Sequence, residues 1–441
     1  MKRLLVLILL LNFCFGISSA QEKLTLDESV QIALEKSPMM LKTRAEIVAA
    51  EGAAGQVVAG FLPQLSVSGG VGKYYAEPQT MIVDMTGTGS PAAISFGIDE
   101  QADTSSYKAS LNQVLFTGGK LSNSLGMANK GLAIAREELK KTSDQVKFDV
   151  INAYYNVLKA TKLIELSEQS VAMAQNHLDR VNALLKVGMS TKADTLRGEV
   201  QHAQAEISLT KAKQAVEIAK NYFNNTLGVD LDSPVELVDV AYKSKEIPEY
   251  NYKDLLKIAY DDRPDWRQYV LIKEISDDEV RLAYSGLWPM ISLVGNYDIG
   301  TTKYSTYQSD VKNWTALISG SWNIFDGTAT WNKIKEAKAK QNAQQADETI
   351  VRRTVALEVK DANFMLKSAK ENLASTQKAV ELAEENYKIA DLRYDSGVGT
   401  SLEEIDAQVA VTRARVDLVQ SQHDLQIAKA RINKVVGAEI Y

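Results

Sequence analysis

The chain is written twice, and any fold it adopts must accommodate two copies of one plan. Leu26–Leu34 (LDESVQIAL) aligns with Tyr252–Tyr260 (YKDLLKIAY), and at the same offset Pro38 falls on Pro264, Pro63 on Pro289 and Ser66 on Ser292. Further along a shorter offset takes over. Phe116 then pairs with Phe325, Gly118 with Gly327, Gly188 with Gly397, Thr191 with Thr400 and Gly228 with Gly437. The register changes between Pro63 and Phe116, so the first copy carries a longer insertion there. Matches that hold register over most of the chain mark a tandem duplication.

The eight prolines leave two long stretches, 92–233 and 290–441, with none. Proline breaks a helix interior by removing a backbone donor and clashing with the preceding turn, so such stretches suit very long helices. A compact enzyme with ordinary loop content is a poor match. Lys120–Lys186 reads as one helix about 100 Å long, and Thr328–Ser396 repeats it. The first has a seam at Ile164, Ser167, Val171, Ala174, Leu178, Val181 and Leu185; the second at Leu373, Thr376, Val380, Ala383, Tyr387, Ala390 and Tyr394. Steps of three and four predict lengthwise packing on another helix. After a short turn each copy returns in a second helix, near 192–227 and 401–436. The first of these carries two seams, Leu196, Val200, Ala203, Ile207 and Ala205, Leu209, Ala212, Val216, Ala219, Phe223. Two seams predict neighbours on two sides, as in a sheet or cylinder of helices.

Before each long helix the period changes from 3.6 to 2. Leu65, Val67 and Val71 alternate with Ser66, Ser68, Gly70 and Gly72; the return strand sets Tyr107, Ala109, Leu111 and Leu115 against Lys108, Ser110 and Asn112. In the second copy Ile291, Leu293, Tyr297 and Ile299 alternate with Ser292, Asn296 and Asp298. Its partner sets Trp314, Ala316, Ile318, Trp322 and Ile324 against Thr315, Ser319, Ser321 and Asn323. Alternation over such lengths with aromatics near the ends is the pattern of a transmembrane β-strand, although an ordinary half-buried sheet shares it. The segment 76–106, with Pro78, Pro91 and several Gly, Ser and Thr, reads as a long external loop.

Lys2 and Arg3 precede an apolar run, Leu4 to Leu11, and Ser18-Ser19-Ala20 offers a cleavage site: residues 1–20 read as a secretory signal peptide. The only cysteine, Cys14, leaves with it, and bulky Phe13 argues against lipidation there. The plan thus divides into the signal, a first repeat 21–228 with a β-hairpin at 63–116, a linker 229–251, and a second repeat 252–441 with a hairpin at 289–325. Lys and Arg number 50 against 56 Asp and Glu, a net charge of -6. That balance argues against nucleic acid as a partner.

Four strands cannot close a barrel, and strands in lipid must close because nothing else satisfies their backbone. Two chains would give eight strands, whose interior side chains fill; three would give twelve, with room for a lumen. A trimer is favoured.

The chain resembles the TolC-like outer-membrane efflux proteins over essentially its whole mature length. The resemblance rests on Phe61-Leu62-Pro63-Gln64-Leu65-Ser66 with Leu287-Trp288-Pro289-Met290-Ile291-Ser292, and on Leu115-Phe116-Thr117-Gly118-Gly119 with Ile324-Phe325-Asp326-Gly327. The turns Gly188-Met189-Ser190-Thr191 and Gly397-Val398-Gly399-Thr400 complete it. It implies a fold that is mainly α with membrane β: a homotrimeric 12-stranded β-barrel in outer-membrane lipid, continued by a long α-helical barrel across the periplasm, with 229–251 in a band around its middle. It also implies docking to a periplasmic adaptor protein and an inner-membrane pump.

The tips of the long hairpins are the expected adaptor-docking surface: Gly188, Met189, Ser190 and Thr191 in one, Gly397, Val398, Gly399 and Thr400 in the other. The dull account, that both first glycines end helices in a left-handed conformation, is compatible with it. Thr191 to Asp194 and Thr400 to Glu403 fit capping boxes. Asp406 lies one turn beyond Glu403 on the same face, and its repeat partner is Arg197, so capping does not account for it. By resemblance Glu403 and Asp406 stand at a constricted periplasmic entrance, where carboxylates from three chains would attract cations. Asp194 and Tyr394 are candidates for a hydrogen bond holding it shut. The resemblance adds an arginine nearby, but Gly399 occupies that place, with Lys192 as a substitute.

Enzyme chemistry is not expected. His177, His202 and His423 lie in helical runs without metal-ligand spacing and read as surface or seam residues; no GxSxG, phosphate loop or catalytic cysteine exists. No cofactor or metal is called for. The rival from another class is a structural periplasmic coiled-coil or adaptor protein, which explains heptads and signal but not the paired strands.

Overall fold

The computed structural model describes residues 23–76, 79–83, 92–96, 100–238, 250–305 and 307–441. The expected signal peptide and the centre of the 229–251 linker lie outside the described residues. Each copy opens with a broken helix: α1 (Leu26–Lys36) and α2 (Pro38–Ala59) in the first. Ser37 and, in the second copy, Arg263 have ψ of 130° and 121°. The cause is steric, since the residue before a proline is pushed out of the helical region.

β1 (Gln64–Ala76) follows, then β2 (Gln79–Val83), β3 (Ala92–Phe96) and β4 (Glu100–Phe116). The long hairpin pairs antiparallel from Gln64↔Asn112 to Ala76↔Glu100, and β2 pairs with β3 as a separate two-stranded ribbon. Residues 76–106 are therefore not all loop. Their Gly, Ser and Thr content hides strands because backbone pairing requires no apolar face. α3 (Lys120–Lys186) and α4 (Lys192–Leu227) complete the copy.

The second copy runs α5 (Tyr252–Asp262), α6 (Pro264–Tyr284), β5 (Met290–Lys303), β6 (Gln308–Ser321), α7 (Ala329–Asp395) and α8 (Ser401–Val436). α3 and α7 have 67 residues each, α4 and α8 36 each. β4 also pairs with β5, so the two hairpins form one four-stranded sheet in the order β1-β4-β5-β6. Register keeps the expected faces in rows. Val67, Ala109, Tyr297 and Trp314 stand opposite one another, and beside them Ser68, Lys108, Asp298 and Asn313. A bulge between Val114 and Phe116 takes Leu115 out of the Tyr107 face. β6 stops at Ser321; the Trp322 indole instead donates to the Leu287 carbonyl at 3.1 Å, so Trp322 and Ile324 lie beyond the strand.

The described residues form two compact units, one drawn from 23–43, 139–264 and 354–441, the other from 44–138 and 265–353. The first has its core in Val146, Val150, Tyr154, Phe223 and Leu227, with Ala33 and Met40. Tyr154 is wholly buried, and its hydroxyl donates to the Val238 carbonyl at 2.6 Å, which satisfies the one polar atom it carries inward. The second unit holds the sheet and a small core of Ala283, Ile334 and Ala337. Along α7 the expected seam is buried or half-buried at all seven positions. On α4 the seam through Ala205, Val216 and Phe223 is covered, whereas Leu196, Val200 and Ile207 are exposed in the single chain. No helix among the described residues is long and apolar enough to cross a membrane.

Candidate functional site at the helical tips

Both tips use one backbone device. Gly188 (φ 77°) and Gly397 (φ 72°) adopt the left-handed conformation that only glycine takes without strain. Met189 N–H then donates to the Leu184 carbonyl at 2.9 Å and Val398 N–H to Arg393 at 3.0 Å, which caps the last helical carbonyls. The return helices start with capping boxes at Thr191 and Thr400. Between these fixed points Met189 and Val398 project outward, 73 % and 70 % exposed. Gly399 has no counterpart in this: a Cβ there would meet the Tyr394 nitrogen at 2.9 Å and the Arg393 Cβ at 3.0 Å. The second turn therefore hugs the end of α7, and no longer side chain fits at 399.

Asp194 accepts from the Thr191 hydroxyl at 2.6 Å and backbone at 3.3 Å, and from Arg197 Nη1 at 3.2 Å. The Thr191 hydrogen bond holds its carboxyl below the usual carboxylate range. Glu403 accepts from Thr400 N–H at 3.4 Å and has Arg393 Nη2 at 3.8 Å. An arginine thus does stand beside the acid, contributed by the last turn of α7. Glu403 and Asp406 share the exposed face of α8, while Glu404, Ile405, Ala407 and Gln408 turn inward.

The expected bond between Asp194 and Tyr394 is not among the hydrogen bonds of the described residues in the single chain. Asp194 gives its oxygens to Thr191 and Arg197, within its own helix start. Tyr394 instead packs its ring 5.5 Å from that of His177 and 5.9 Å from Arg180 Cζ. Burial pushes its phenol up, and the charges of Glu404 and Asp194 add to that.

Sequence reasoning missed the polar core beneath the second tip. His177 and Glu404 are 1 % and 0 % exposed. His177 Nε2 lies 2.9 Å from Ser401 Oγ, with the donor set by the tautomer. Its Nδ1 lies 2.9 Å from Glu404 Oε2, off the N–H axis and so a close contact rather than an aligned hydrogen bond. Arg180 donates to Asp391 at 2.9 Å and Asp395 at 2.7 Å, and stands 3.6 Å from Glu404 Oε1. The fully buried stripe of α3 here runs Ala174, His177, Val181, not through Leu178 as the apolar pattern predicts. The available signal was a histidine and an arginine one turn apart, each next to a position of the apolar seam. No group of three or more His, Cys, Asp or Glu among the described residues could hold a metal ion.

A duplicated chain of this kind, with four alternating strands feeding paired long helices, is one protomer of an outer-membrane efflux channel. Comparison with known proteins agrees: the family described as outer membrane efflux protein matches residues 29–229 and 255–438, and the chain belongs to that family. The outer membrane efflux protein BepC of Brucella suis biovar 1 (strain 1330) is 21 % identical over 327 residues, 74 % of this chain and 71 % of the relative. The outer membrane protein TolC of Escherichia coli (strain K12) is 21 % identical over 461 residues, 99 % and 87 % of the two chains. The solved outer membrane protein VceC of Vibrio cholerae has a TM-score of 0.77 at 17 % identity, covering 94 % of this chain and 97 % of that one. The chain's place is the outer membrane, with its helices in the periplasm. Its fold class is that of the trimeric channels with a twelve-stranded barrel and a long helical barrel. The rival reading as a periplasmic coiled-coil or adaptor protein is set aside by these matches.

Proposed function

We propose that the chain is the passive exit duct of a tripartite efflux or type I secretion system. An inner-membrane pump would feed it through a periplasmic adaptor docked on the helical tips. The observation that carries this reading is the exposure of Met189 and Val398 at the two turns, beside the Glu403–Asp406 face. Neither apolar side chain serves the chain's own packing, so each is available to a polypeptide partner. The adjacent acids, tripled in a trimer, form a ring that favours cations at the entrance. Asp194 and Tyr394 belong to the same entrance, acting through helix capping and packing respectively. Energy for transport comes from the pump.

Met189→Asp combined with Val398→Asp tests the docking. In cells it is expected to abolish efflux of the pump's substrates while the trimer reaches the outer membrane in wild-type amount. Efflux at the wild-type rate would remove docking from these tips.

A further inference from the structure

The two copies break their opening helix on the same backbone and finish the break with different side chains. Ser37 and Arg263 are repeat partners, with φ -57° and ψ 130° against φ -67° and ψ 121°. In each copy the glycine after the return helix packs on this residue. A Cβ on Gly228 would lie 3.1 Å from Ser37 Cα, and one on Gly437 would lie 2.9 Å from Arg263 Cα. Arg263 is buried, with its guanidinium on the Glu358 carboxylate and donating to the Val435 carbonyl at 3.2 Å.

In the first copy Asp149 and Thr226 stand in the places of Glu358 and Val435. Ser37, Asp149 and Thr226 there line an open groove of about 720 Å³ between the start of α2, the middle of α3 and the end of α4. That volume lies in the range of small-molecule sites. Asp149 accepts from the neutral Gln145 amide at 2.8 and 2.9 Å and pairs with no cation among the described residues. Ala153, Ile218 and Tyr222 continue the groove as apolar walls. Met39 and Tyr222 stand exposed on it, where the second copy has Asp265 and Arg431. Lys159 also lines it, ten residues beyond Asp149 on α3 and so about 15 Å further along the helix.

We propose that this groove binds a small organic cation on an apolar stem, such as an alkylguanidinium. The second copy is the template, because its equivalent place holds a guanidinium on an alkyl stem against a carboxylate. Asp149 supplies the opposite charge, and Ala153, Ile218 and Tyr222 cover the stem. Lys159 repels a cationic head placed the other way round. A bound cation ties the break between α1 and α2 to α3 and α4, as Arg263 ties the break between α5 and α6 to α7 and α8. The inference does not depend on reading the tips as an entrance.

Isothermal titration of the purified full-length trimer in detergent, against a detergent blank, tests it with hexylguanidinium and its neutral isostere hexylurea. Hexylguanidinium is expected to bind about tenfold more tightly than hexylurea, the factor set by one charge-assisted hydrogen bond. Asp149→Asn, which keeps an acceptor for Gln145, is expected to erase that difference. Ser37→Arg, which copies the second repeat, is expected to abolish binding of both compounds, since the chain then fills the groove itself. Either variant carries the test if the other does not assemble. Glu51→Gln, which removes an acid paired with Arg136 at 3.5 Å in the other unit, is the control and leaves binding unchanged. No binding by the wild type, or undiminished binding by Ser37→Arg, overturns the site. Equal affinity for the two compounds, or a preference that survives in Asp149→Asn, overturns the role of the charge. Acetylargininamide binding as tightly as hexylguanidinium overturns the small amphiphile in favour of a polypeptide's arginine.

Discussion

At the first tip the chain turns from α3 into α4 through Gly188 and Thr191; at the second it turns from α7 into α8 through Gly397 and Thr400. The glycine dihedrals, helix-end bonds and capping boxes correspond. The side chains placed on this shared backbone do not. Where the first return helix has Thr195 and Arg197, the second has Glu404 and Asp406, one buried and one exposed. The first tip pairs its capping acid with Arg197 one turn on; the second sets Arg393 3.8 Å from its capping Glu403, turns Glu404 inward toward α3 and leaves Asp406 on the outer face. Duplication thus supplied two equivalent frames, and substitution gave them unequal tasks: α4 keeps an apolar seam open to a neighbour, and α8 carries the acids.

The largest expected difference between the tips is in stability. Glu404→Ala leaves His177 and Arg180 facing an empty buried site, which costs about 3 kcal/mol or more. The matching change Thr195→Val removes only an unpartnered hydroxyl and shifts stability by less than about 0.5 kcal/mol, or improves it. Thermal unfolding of the two variants in detergent compares them directly, and equal losses would erase the distinction. A smaller gap is expected at the turns. Gly399→Ala forces a Cβ against α7 and costs about 1–3 kcal/mol, whereas Ser190→Ala at the equivalent position of the first turn is nearly neutral by the same assay.

The smallest effect concerns pH. Thr191 depresses the Asp194 carboxyl in the folded state, so its contribution is present above the unfolded value of about 4 and is lost as pH falls through the lower folded value. Asp194→Asn should frustrate the start of α4 by roughly 0.5–1 kcal/mol and remove that acid dependence. Amide hydrogen exchange at Lys192–Leu196, followed from pH 5 to pH 3 with correction for intrinsic rates, reports both. Exchange that keeps the same acid dependence in Asp194→Asn would contradict the assignment.

Much of this molecule was legible before any coordinates because its devices are local. Proline before a helix, glycine after one, threonine three residues before an acid and strict alternation each act within a few residues. Both long helices, the two broken ones and the paired strands could therefore be read from the chain. Repetition then confirmed each device by its copy. The missed features depend on contacts that sequence spacing does not encode. His177 meets Ser401 and Glu404 across the two repeats, and none of the three falls on the apolar stripe by which a seam is recognised. The Leu115 bulge and the ribbon of β2 and β3 are backbone arrangements with no side-chain period to announce them. Nearness to the tips suggests a bond between Asp194 and Tyr394, and it does not show that Thr191 and Arg197 already engage the Asp194 carboxylate in the single chain.

The proposed membrane duct has a narrow periplasmic end that is acidic at the second tip and not at the first. The reversal potential under a KCl gradient across a planar bilayer tests it most directly, comparing wild type with Glu403→Ala plus Asp406→Ala. A cation-selective wild type of small conductance is expected, and a double variant that conducts more and loses its cation preference. Unchanged conductance and reversal potential in the double variant would contradict it.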